Sequence, residues 1–110
     1  MDKQEEALIL LKDMKGLEAL LNDYSMEHGD EEYALLISQA KDDLLQRKKC
    51  AINCLKKMSV ENQRLIILRY FQNNTKEEIG VKVGYTYRTV WDKIHAAEKE
   101  FIEKYEQNFT

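Results

Sequence analysis

Among the most reactive side chains of this 110-residue chain are two cysteines, Cys50 and Cys54, and two histidines, His28 and His95. Their spacing supports no catalysis. The cysteines stand one helical turn apart, with no Cys or His pair elsewhere to complete a zinc site, and read as ordinary buried thiols. The histidines fall in unrelated settings. There is no glycine-rich phosphate loop and no Ser–His–Asp arrangement, and the carboxylates recur at helix-surface spacing. Neither an enzyme nor a cofactor is expected.

The chemistry suggested by the remaining polar residues is recognition. Residues 75–94 read TKEEIGVKVGYTYRTVWDKI, with the spacing of a helix-turn-helix. Thr75 and Glu78 form a capping box at the start of a short helix. Gly80 supplies the small residue needed where two helices cross, and Gly84 the left-handed backbone of the turn. Ile79, Val83, Tyr85, Val90 and Ile94 are expected to fill the wedge between the helices. Thr86 caps the second helix, in which Val90, Ile94, Ala97 and Phe101 form the buried stripe.

Residues 59–101 resemble region four of bacterial sigma factors, the part that reads the −35 element. The resemblance lies in the Arg-Leu-Ile-Ile-Leu-Arg-Tyr-Phe helix, the Thr-Lys-Glu-Glu-Ile-Gly opening, the Gly-Tyr-Thr turn, and Thr-Val followed by Ile-His-Ala-Ala-Glu. The segment is also similar to small sigma-like regulators of phages and integrated elements, which often carry Gly-Tyr-Ser/Thr-Tyr-Arg. It covers about two-fifths of the chain. Nothing here resembles the sigma region that melts the −10 element. The resemblance implies double-stranded DNA as partner, and RNA polymerase as a second partner docked on residues 62–71 through Leu65 and Tyr70. Binding a polymerase or partner factor without reading DNA is the alternative function.

On the second helix of the motif, Arg88, Asp92, His95 and Lys99 share the side opposite Val90 and Ile94. Arg88 suits guanine, because its planar fork matches two acceptors on that base edge. Asp92 either accepts from a cytosine amino group or orients Arg88. Tyr87 and Trp91 touch a thymine methyl or a sugar, unless Trp91 packs against the N-terminal part. His95 joins this base-reading group or meets a phosphate. Thr75, Lys76, Thr86, Thr89 and Lys93 are the candidate phosphate contacts, the first and third through helix N-termini.

The elements that must position these residues are helical. The chain has no proline and four glycines, which excludes an all-β fold and favours long helices. A seam of Ala7, Leu10, Met14, Leu17, Leu21 and Tyr24, widened by Leu8, Leu11 and Leu20, predicts a first helix weakened at Gly16. A turn over residues 25–30 follows, and Asp30 is placed to cap a second helix whose seam is Tyr33, Ile37, Ala40, Leu44, Arg47, Ala51, Cys54 and Met58. Ser59 begins a third helix that carries Leu65, Ile66, Leu68, Tyr70 and Phe71 to a turn at Gln72, Asn73 and Asn74. The last helix runs to about Asn108. The expected fold is all-α, with an antiparallel helical hairpin over residues 1–57 and a three-helix helix-turn-helix module over residues 58–110.

The charges divide along the same lines. Residues 1–43 carry four Lys and twelve Asp/Glu, a balance of −8; residues 44–57 carry five cations and no acid; residues 58–110 carry eight of each sign. This is no generic polyanion binder. The longest apolar run, residues 7–11, is far below the roughly 20 residues of a membrane span. The N-terminal residues lack the basic start and apolar stretch of a secretory signal, so a cytoplasmic location is expected. The apolar surplus of the hairpin predicts a homodimer through residues 1–57.

Overall fold

The computed structural model describes residues 2–14 and 31–109, and every regular element among them is helical. The elements are α1 (Lys3–Asp13), α2 (Glu31–Lys56), α3 (Val60–Ile66) with its wider continuation Ile67–Phe71, α4 (Lys76–Val83) and α5 (Tyr87–Gln107). Leu17, Leu20, Leu21 and Tyr24, the weak point at Gly16, the turn at 25–30 and the Asp30 cap lie outside the described residues. Among the described residues, no helix is long and apolar enough to cross a membrane.

Each helix start has a local cause. The side chains of Asp2, Ser59, Thr75 and Thr86 each accept from the backbone amide three residues on, satisfying a donor that the helix itself leaves free. α4 ends on Gly84, whose φ of 77° lies in the left-handed region.

Most described residues of the expected stripes are buried; Leu8, Ala40 and Phe71 are half-buried, and the Tyr33 side chain lies outside what the structure describes. Ala7, Leu10 and Leu11 of α1, Met14 at its C-cap, and Leu44, Ala51 and Cys54 of α2 join Val90, Ile94, Ala97, Phe101 and Tyr105 of α5 in one apolar cluster. Arg47, at a seam position, is half-buried and pairs with Asp13 at 2.7 Å. α1 lies chiefly along α5 and meets α2 more sparingly. The Tyr105 hydroxyl donates to Glu6 at 3.2 Å, and the Asn108 amide donates to the Cys54 sulfur at 3.2 Å. α1 and α2 therefore share a core with the C-terminal half of α5. Burial pushes the Cys54 thiol up to about 11, as expected of a packed rather than reactive cysteine.

One element departs from the sequence expectation. The third helix does not continue as an α-helix to Phe71: from Ile67 onward the bonds span five residues, and the Gln72 amide reaches the Ile67 carbonyl at 2.9 Å. Asn74 holds the exit. Its backbone and side-chain N–H groups both donate to the Leu68 carbonyl at 3.0 Å, while its side-chain oxygen accepts from Lys82 at 2.9 Å. The widened turn is thus tied to α4.

Candidate nucleic-acid interface

α4, the turn at Gly84 and α5 form the unit that presents the candidate residues. The Gly84 and Tyr85 amides both donate to the Gly80 carbonyl, at 2.8 and 3.0 Å, closing the turn back on α4. At Gly80 a β-carbon would lie 2.9 Å from the Tyr85 carbonyl oxygen and 3.3 Å from a Val90 methyl. Only glycine fits there without movement. Ile79, Val90 and Ile94 fill the wedge, with Val83 at its margin.

Tyr85 does not join them. It remains 36% exposed, and its hydroxyl donates to Glu61 Oε1 at 3.0 Å on α3. The polar hydroxyl finds an acceptor at the surface that the wedge does not offer.

Along α5, Tyr87, Arg88, Asp92, His95 and Lys99 are exposed, opposite the buried stripe. Trp91 keeps 36% exposure and packs on its own module: His95 stacks on it with centroids 4.4 Å apart, and the Lys76 ammonium lies over its ring. Desolvation, then the nearby Arg69 charge, lowers the Lys76 pKa.

The candidate phosphate contacts are partly committed within the fold. Thr75 accepts from the Glu78 amide at 3.2 Å in a complete capping box. Thr86 accepts from the Thr89 amide and donates to the Thr89 hydroxyl at 3.0 Å. Lys93 pairs with Glu61 at 3.4 Å. Leu65 and Tyr70 require correction as partner contacts: they are 1% and 8% exposed, because this face of the helix packs into the core. The Tyr70 hydroxyl donates to Glu98 at 3.1 Å. The exposed apolar residues nearby are Val60, Ile67 and Val81.

Several contributors escaped the sequence. Glu100 of α5 accepts from the Ser59 amide and the Asn62 side chain, both at 2.6 Å, binding the start of α3 to α5. Glu61 and Asn74 bridge elements in the same way. Their partners lie 8 to 41 residues away in sequence, beyond any periodic signal. No group of three His, Cys, Asp or Glu side chains among the described residues is placed to hold a metal. No family model, curated protein or solved structure matches the chain.

Proposed function

We propose that this chain is a sequence-specific duplex DNA-binding transcriptional regulator, of the sigma region-four-like kind encoded by phages and mobile elements. The observation that carries it is the exposed face of α5 with Arg88 and Asp92 one turn apart, held behind a glycine turn and a short capped helix. Such a face offers a fork of donors and an adjacent acceptor, the kind of groups that read base edges in a major groove. Selection of bound fragments from random duplex DNA at two salt concentrations tests it. An enriched motif is expected; uniform binding that vanishes with modest salt would reduce the activity to phosphate attraction.

A second reading, docking on RNA polymerase or another protein without reading DNA, draws support from the exposed Val60 and Val81 and from the balanced charge of residues 58–110. Retention of polymerase by the wild type and its loss on Val60→Asp or Val81→Asp would favour it.

A further inference from the structure

The exposed face of α5 is flanked by two lysines that the fold already engages. On the α4 side Lys76 lies over Trp91; on the turn side Lys93 stands 3.4 Å from Glu61 Oε1. The same carboxylate oxygen accepts from the Tyr85 hydroxyl at 3.0 Å. Three elements thus meet in one small cluster: Tyr85 and Lys93 supply donors, and Glu61 occupies them. All three are reachable from solvent, with the Lys93 and Glu61 side chains 41% and 53% exposed. The Tyr85 hydroxyl first, and Lys93 second, lower the Glu61 pKa, so the cluster stabilises an anion.

A hydroxyl and an ammonium converging on one anionic oxygen is also a donor set that takes phosphate oxygens. Its position suits that use. A helix lying in a major groove has a sugar-phosphate strand along each flank, and Lys93 stands at the edge of the face centred on Arg88 and Asp92. An exposed carboxylate–lysine pair contributes little to stability, so an incoming phosphate displaces it at small cost.

We propose that Tyr85 and Lys93 form a clamp for a phosphodiester of duplex DNA, and that Glu61 occupies the clamp in the free protein. This rests on the DNA-binding reading above. Because phosphates are common to all sequences, the carboxylate lowers occupancy of random DNA without altering which bases are preferred.

The test is fluorescence anisotropy of the full chain on a labelled random-sequence duplex across a salt series. Circular dichroism confirms that each variant is folded. Glu61→Gln keeps an acceptor for Tyr85 and removes the charge. It is expected to bind about three- to tenfold tighter, with a log–log salt slope steeper by about one. Adding Lys93→Ala to it is expected to erase both changes. Glu103→Gln, an equal charge change at an exposed position far along α5, is expected to leave affinity within about twofold. If the wild type binds DNA and Glu61→Gln matches it, or if the gain survives Lys93→Ala or is reproduced by Glu103→Gln, the clamp is overturned and DNA binding stands. If neither the wild type nor Glu61→Gln binds duplex at low salt, the DNA-binding reading fails and takes the clamp with it.

Discussion

Arg88, like Lys99 further along the same face, has no ion-pair or hydrogen-bond partner among the described residues, whereas Lys93 and Lys76 are engaged. A free guanidinium at the centre of the exposed face can be committed to a base edge without first breaking a contact. Arg88→Ala should therefore cost about 1–3 kcal/mol on the selected site and relax one base position, with little change on random duplex. An equal loss on both substrates would remove Arg88 from base reading. Tyr70 makes a different residue-level prediction. Burial first, and the Glu98 charge second, push its hydroxyl up to about 12 from an ordinary 10.0. Because the folded pKa is raised, stability from neutral Tyr70 is complete below the ordinary value and is lost as pH rises from about 10 towards 12. Urea midpoints should fall more steeply across that window in the wild type than in Tyr70→Phe; parallel curves would mean that the hydroxyl ionises as freely in the folded state as in the unfolded chain.

At the scale of elements, the two glycines of the motif separate two kinds of cost. Gly80→Ala forces a β-carbon against backbone and a packed methyl, and should lower stability by about 1–3 kcal/mol while displacing the turn. Gly84→Ala meets no neighbour within 4 Å but must hold φ at 77°, and should cost about 1–2 kcal/mol. Urea denaturation checks both, and only Gly80→Ala is expected to disturb DNA binding by the folded protein. These glycines and the caps at Ser59, Thr75 and Thr86 were legible in the sequence because their causes lie within a few residues. The buried stripe of α5 was legible for the same reason, being a repeat along one helix. The widening at residues 67–71 was not: its apolar residues also satisfy an α-helical pattern, and the departure is fixed by Asn74, which ties Leu68 to Lys82 of α4. Leu65 and Tyr70 were assigned to a partner by the resemblance alone, whereas their place on the apolar side of the helix already fits the burial found for them. Tyr85 was misplaced in the wedge because its partner, Glu61, is 24 residues upstream.

For the whole molecule, the sharing of α5 between both stretches changes what a truncation can mean. Residues 58–110 alone would leave Tyr105, which packs beside α1 and α2, without its cover, and should show reduced helicity and a weakened unfolding transition by circular dichroism. The expected homodimer is better tested in the full chain. Leu35, Leu36, Leu45 and Ile52 of α2 are exposed, more apolar surface than a solitary helix face usually leaves to water. Light scattering should report a dimer, and Leu45→Glu with Ile52→Glu should return it to monomer; a monomeric wild type would end the proposal. α5 itself runs unbroken through 21 residues without glycine or proline, with Arg88 and Asp92 exposed towards one end and Tyr105 packed beside α1 and α2 towards the other. At 1.5 Å per residue it is about 31 Å long, so a tilt of about 5° about the end beside α1 and α2 moves the Arg88 end, together with the α3 and α4 packed on it, by about 3 Å, roughly the length of a hydrogen bond. On the proposed DNA-binding function, a partner that grips the α1–α2 end would shift the Arg88 face against the base edges through angle alone, with every helix intact.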